Sequence, residues 1–426
     1  MNKKVSIGVT LALIIISIAL TVSITTVVAM RQFNSIVSDV GKRQVMFGYI
    51  TDIDKLVREH LQNIDEEKLR TSLAKGYIAG LDDPYAAYLS ADEYAAELSA
   101  QEGKVTGFGV ELLRSNTGEI VVSGVQKNSP AAAAGLQKYD VITAVDSTPI
   151  AEIGLTEALK RLANNKKIIL TYTREGESKA LDISASLYTT VSVEGMMLSD
   201  TTGYIRIRSF NSLTFEQFKS AYAALESQGA VHFIYDVRGA SGGSLEAARS
   251  VVEYLLPRGV YAYSISHKDG GETPLKAEDT FETDKNSATL VNSQTSGMGE
   301  FFAGVLQERG KTTVVGTKTA GNGMVQEYYP ITSDGSALRL SVASLNLLNG
   351  GAIDKVGVTP DQVVDMPAEQ LNYLELLTAA EDPQIQAALK SVENGQPLPP
   401  ATTAPETTTA TAPSEAAPTG DAAQEE

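Results

Sequence analysis

Apolar positions along the chain fall into clearly different patterns. The first is a run of 26 residues without a charge, Val5 to Met30. About 20 apolar residues span a bilayer as a helix. A cleavable signal has a shorter apolar core of about 7–15 residues and ends in small residues. T-T-V-V-A-M-R is a poor cleavage site, so the pattern predicts an uncleaved anchor. Lys3 and Lys4 precede it, and Arg31, Lys42 and Arg43 follow, so flanking charge alone does not orient it. Helical spacing comes next, with Ile53, Leu56, Val57 and Leu61 on one face. A second helix fits 65–80. L-D-D-P-Y-A-A-Y-L-S-A-D-E-Y (81–94) reads as an aromatic-packed turn that locates the domain and does no chemistry, followed by a helix capped by Ser90.

Further on, strands alternate with helices. K-I-I-L-T-Y-T-R (167–174) and T-G-Y-I-R-I-R-S-F (202–210) are strand-like, and helices fit 155–162 and 214–227. V-H-F-I-Y-D-V-R-G-A-S-G-G-S-L-E-A-A (231–248) reads as buried strand, glycine turn and helix. A last helix fits 380–390. From Gly395 onward Pro, Thr, Ala and Glu dominate, with five acidic residues and no Lys or Arg. Such a segment cannot bury a core and is expected to be disordered.

Composition narrows the chemistry. At 426 residues the chain has room for two or three domains. It has no Cys, which excludes disulfides, iron–sulfur clusters and thiol catalysis. His60, His232 and His267 are scattered, so no metal site and no cofactor are expected. A net charge of −17 argues against nucleic acid as a partner.

Two stretches carry a resemblance. G-F-G-V-E-L (107–112), S-P-A-A-A-A-G-L-Q-K-Y-D-V-I (129–142) and the 155–162 helix resemble a PDZ domain of the bacterial protease type. The resemblance implies a peptide clamp built on Gly107, Phe108, Gly109 and Val110. Backbone N–H groups would form a carboxylate nest there, and the following strand would accept an extended peptide. Read without the rest of the signature, G-F-G-V is a glycine turn entering a strand. Tyr139 stands where that family usually has Gly. Leu155, Leu159 and Leu162 form a stripe, mostly core, of which one or two line the groove.

The second stretch resembles the C-terminal processing peptidases, the tail-specific serine proteases. D-V-R-G-A-S-G-G-S-L (236–245), L-V-N-S-Q-T-S-G-M-G-E-F-F-A-G-V-L-Q (290–307) and V-G-T-K-T-A-G-N-G-M-V-Q (315–326) carry it, and it spans about 70–390. In the family the S-A-S-A-S-E serine is the nucleophile and the G-K-G lysine the base. Aligned without gaps, those positions are Gly297 and Asn322, at the family's own spacing. Gly242 and Gly243 match the turn that supplies an oxyanion-hole N–H, worth roughly 3–4 kcal/mol in the transition state. Gln326 keeps the third polar position.

Glycine has no group to attack with, and an amide is not basic. Removing nucleophile or base alone costs a serine protease on the order of 10⁶ in turnover. Among neighbours, Ser293 and Thr295 lie on the entering segment, and Ser296 is one residue early, about 100° round a helix. Lys318 is expected to face solvent. His232 and Asp236 lie four apart on a strand, with no serine placed for them.

The expected architecture is α/β: an anchor (1–30), a helical region (31–103), a PDZ domain (104–186), a mixed α/β tail-specific protease-like core (187–392) and the tail (393–426). The expected function is that of a membrane-anchored pseudoprotease, binding extracytoplasmic proteins or peptides through the PDZ groove. The alternatives are an active serine endopeptidase using Ser296, and an exported domain with neither activity. The expected location is the cell membrane, single-pass, with the soluble domains on the extracytoplasmic side.

Overall fold

Strands buried on both faces need apolar residues at every position, whereas half-buried strands need them only at alternate ones. Both kinds occur in the computed structural model, which describes residues 40–393 apart from 260, 268–269, 278–284, 350, 368–369 and 371–372, together with Ser17, Thr21, Thr25, Thr26 and Met30. Apart from those five residues, the expected anchor over 5–30 lies outside the described residues, as does the tail beyond 393. Among the described residues no helix is long and apolar enough to cross a membrane.

The chain divides into two compact units, 1–76 and 77–426. In the first, α1 (40–60) is helical, and Arg58 binds Asp54 on its own helix and Glu66 at the start of α2 (Glu66–Ala79). The second unit opens with β1 (Ala87–Leu89) and α3 (Ala91–Gln101). Ser90 caps α3 in a full capping box with Glu93.

A first module follows: β2 (Lys104–Gly107), β3 (Val110–Arg114), β4 (Ile120–Val125), α4 (Pro130–Ala133), β5 (Val141–Val145), β6 (Thr148–Pro149), α5 (Ile150–Asn164), β7 (Lys167–Arg174), β8 (Glu177–Ser184) and β9 (Ser186–Thr189). Its sheet runs β3-β4-β5-β7-β8, so β3 is an edge. The chain enters and leaves on a ribbon, β2 paired with β9. Asp140 is buried and takes both Arg174 Nε and Nη2 at 2.6 Å, which explains the aspartate of the S-P-A signature. The helix expected from 155 begins at Ile150 and is interrupted at Gly154.

The core comprises β10 (Val193–Met197), β11 (Thr202–Ile207), α6 (Thr214–Ser227), β12 (His232–Asp236), α7 (Leu245–Tyr254), β13 (Tyr261–His267), β14 (Glu272–Lys276), β15 (Ser287–Val291), α8 (Met298–Glu308), β16 (Thr313–Gly316), β17 (Met324–Pro330), β18 (Ala337–Leu347), β19 (Gly351–Ala352), β20 (Gln362–Val363) and α9 (Pro383–Glu393). One sheet runs β10-β11-β12-β15-β16-β20, parallel except for β10. On β12, Phe233 and Tyr235 enter the cluster with α6, α7 and α8, while Ile234 faces α9. Each side of the sheet is therefore covered by helices, and β15 is buried throughout.

A second sheet runs β1-β18-β13-β14, with β17 and β19 also on β18. Here the expected helical region 31–103, with its turn at 81–94, needs correcting: part of that turn is a strand. Residues 87–89 form β1, paired Ala87↔Arg339 to Leu89↔Ala337. Three residues of strand carry too little periodicity to read locally, and only their distant partner makes them a strand.

Candidate functional site

The site is built where two chain reversals meet. After β12 the chain turns through Gly242 and Gly243 into α7, capped by Ser244. After β15 it turns through 292–297 into α8. Asn292 and Thr295 brace that turn: Thr295 Oγ1 donates to the Val237 carbonyl at 2.9 Å, and Asn292 Oδ1 accepts the Gly239 N–H at 3.1 Å. Gly297 is the helix N-cap, with φ +58 and ψ −115. This is the strained strand-to-helix elbow on which hydrolases mount a nucleophile. Glycine holds it without strain. A Cβ there would lie 3.2 Å from the Gly242 nitrogen. Among the described residues, neither Gly242 nor Gly243 N–H makes a hydrogen bond.

Glu300, fully buried, joins the two signature loops. One carboxylate oxygen accepts Gly297 N–H (2.9 Å) and Asn322 N–H (2.7 Å). The other accepts Gly321 N–H (2.6 Å) and the Thr319 hydroxyl (2.5 Å). Thr319 Oγ1 also accepts Val358 N–H at 2.7 Å, so its proton points to Glu300. Positions 297 and 322 are thus brought together by backbone, through one side chain that sequence reading passed over. The glutamate stands in the quoted motif, but nothing local says which groups it binds.

Gly297, Asn322, Gln326, Gly242 and Gly243 all line one cleft of about 490 Å³, bounded also by Glu97 and Gln101 of α3. Among the described residues no lysine or histidine lines it, and Ser296 is not in the lining. Ser296 is half-buried, and its N–H binds the Ala240 carbonyl at 2.9 Å. Lys318 is exposed. Asn322 Oδ1 accepts Met324 N–H at 3.4 Å, turning the amide onto its own loop. Gln326 Nε2 reaches the Tyr85 carbonyl at 3.5 Å. Tyr85 OH in turn donates to the Gly321 carbonyl at 3.3 Å. The L-D-D-P-Y turn therefore buttresses the site, beyond the packing role expected for it. Asp83 pins the turn by accepting Ser341 N–H and Oγ at 3.0 and 2.9 Å.

The end of β12 holds a buried charge network. Asp236 accepts Tyr204 OH (2.6 Å), Arg206 Nη1 (3.1 Å) and Arg238 Nη2 (2.6 Å). Arg238 Nη1 also binds Asp382 at 2.7 Å. Burial alone raises a carboxyl's pKa. Here the Arg206 and Arg238 guanidiniums outweigh it and hold Asp236 well below the usual range. His232, at the other end of β12, is not part of this network, and its Nδ1 has no partner among the described residues. The motif's Asp and Arg are thus structural, fixing the strand end before the glycine turn.

In the first module the expected clamp residues form a short loop between β2 and β3. Gly107 ends β2 and Val110 begins β3. Phe108's side chain is core, so its contribution to a ligand is its backbone. Gly109 has φ +74, and a Cβ there would fall 2.0 Å from Ser129 Cβ. Among the described residues neither Phe108 nor Gly109 N–H is bonded, while their carbonyls accept Ala131 and Gln126 N–H at 2.9 Å. Tyr188, which the sequence did not single out, lies against this loop, its Cζ 3.3 Å from the Gly109 Cβ position.

Leu162 packs on the core and Leu159 is exposed. Leu155 lines a cavity of about 480 Å³ with Leu112 and Leu113 of β3, and Tyr373 is also in its lining. Tyr139 adopts φ +75, a left-handed position that explains the glycine usual there. Its hydroxyl contacts the Leu376 carbonyl at 3.4 Å.

A parallel-sheet core with a glycine turn facing a helix-capping elbow, joined to a small antiparallel module, defines a peptidase-type fold carrying a PDZ domain. The Peptidase family S41 profile matches residues 201–364, and the PDZ profile matches 106–185. The chain carries a peptidase family S41 domain and a PDZ domain, and it is similar to proteins named carboxyl-terminal processing proteases. A carboxyl-terminal-processing protease of Synechocystis sp. is 29% identical over 351 residues, covering 80% of each chain. The carboxy-terminal processing protease CtpA of Bacillus subtilis is 29% identical over 329 residues, 76% of this chain and 70% of its own. The crystal structure of a putative S41 protease from Bacteroides fragilis shares the fold, with TM-score 0.55 and 18% identity over 79% of this chain and 96% of that one.

Proposed function

We propose that this chain is a pseudoprotease that binds protein C-termini or exposed peptides through its PDZ groove, as scaffold or regulator, without hydrolysing them. One observation carries the reading: the elbow conformation at Gly297 is kept while its cleft offers neither a hydroxyl there nor a lysine or histidine to activate one. A serine nucleophile needs both. Ser296, outside that lining, gives the active-protease alternative no support.

The test compares the native chain with Gly297→Ser plus Asn322→Lys on a fluorogenic peptide ending in apolar residues. The native chain binds it and leaves it intact. The double variant cleaves it, and is less stable by roughly 1–3 kcal/mol because serine takes up the strained elbow. Native cleavage abolished by Ser296→Ala would overturn the reading.

The proposal extends to place. Residues 5–30, uncharged over 26 positions, anchor the chain with its soluble domains on the extracytoplasmic side. Membrane fractions washed with alkaline carbonate retain it, and external protease digests the domains on intact cells. Release by carbonate would remove the anchor from the picture.

A further inference from the structure

Five consecutive residues of β17, Met324 to Tyr328, line the cleft. Successive side chains of a strand point to opposite faces. A strand that lines a cleft with five residues in a row therefore shows it an edge and not a face. Among the described residues β17 pairs only with β18, so its other edge is open to an added strand.

Charge distinguishes what can lie there. Glu97, Glu246 and Glu327 line the cleft against one cation, Arg339. Glu97 accepts Tyr328 OH at 2.8 Å and lies 4.0 Å from Arg339. Glu327 accepts Tyr329 OH at 2.9 Å. The Glu246 side chain is exposed and has no hydrogen bond or ion pair among the described residues. The helix dipole favours an acid in the first turn of α7, but it does not explain an acid late in α3 or one on a strand. The acidic excess belongs to the cleft. It also excludes one occupant close at hand: the chain's own tail has five acidic residues and no Lys or Arg.

We propose that the cleft takes an extended peptide carrying lysine or arginine, its backbone added to the free edge of β17 and its cation held by Glu246. The proposal rests on the peptide-binding reading above. The test uses the full chain and two heptapeptides, blocked at both ends and identical except for a central lysine or glutamine. Blocking the C-terminus removes the carboxylate that the PDZ loop would take.

The lysine peptide binds about 5-fold tighter at low ionic strength, the upper end for a solvent-exposed ion pair. The preference shrinks as salt rises. Glu246→Gln reduces it to less than about 2-fold and leaves binding of a carboxylate-ended apolar peptide unchanged. Equal affinity for the two peptides overturns the proposal. So does a preference that survives Glu246→Gln. If neither blocked peptide binds while the carboxylate-ended one does, this proposal fails and the PDZ clamp stands. If none binds, the peptide-binding reading itself fails.

Discussion

The loop at 107–110 and the elbow at 297 both turn on a glycine at positive φ, +74 at Gly109 and +58 at Gly297. Their consequences are opposite. At Gly109 a side chain is sterically barred, with Ser129 Cβ 2.0 Å from where its Cβ would be. The groups left open there, among the described residues, are backbone N–H, which glycine leaves uncovered. At Gly297 the nearest atom to a Cβ is 3.2 Å away, and the chemistry typical of the fold requires the side chain that is missing. A site made from backbone survives changes of side chain; a site made from two side chains does not. The Gly242–Gly243 turn, being backbone, is kept even though the groups it would serve are absent.

That contrast can be tested from both ends. The larger effect is expected in the core. Glu300→Ala leaves the N–H groups of Gly297, Gly321 and Asn322 without their acceptor. Buried unsatisfied groups cost about 1–3 kcal/mol each, so chemical denaturation should show a loss of at least about 3 kcal/mol. Binding of a carboxylate-ended peptide below the melting point stays unchanged. A loss under about 1 kcal/mol would mean that the elbow and the 319–322 loop hold each other without the carboxylate.

The smaller effect belongs to the clamp. Gly109→Ala forces Ser129 and its loop to shift and should weaken that peptide about 10-fold, or 1.4 kcal/mol. Fluorescence anisotropy measures it, with the core's denaturation curve as the unchanged reference. Undiminished binding would remove the 107–110 loop from the recognition of C-termini.

Much of this was legible along the chain. Strand 167–174 and helix 214–227 are found at the positions their periodicity gives. Ser90 caps its helix. The glycine turn after β12 and the spacing between 297 and 322 stand as the motifs implied. What was not legible involves partners far away in sequence. β1 is a strand only because Arg339 to Ala337 lie beside it. Tyr85 looked like packing until Gly321 and Gln326 arrived against it. Tyr188 and Tyr373 sit in no motif, yet one lies against the 107–110 loop and the other lines the cavity beside β3.

The sequence by itself determined which side chains stand at the two signature positions, because identity at a position is a covalent fact. A glycine stands at 297 and an asparagine at 322 whatever the fold does. Tertiary structure alone decided that these two positions meet, and by what means. The four bonds to Glu300 draw on residues 297, 319, 321 and 322. No local preference encodes such a set of partners; the packing of α8 against the sheet creates it by burying one carboxylate where only those donors can reach it.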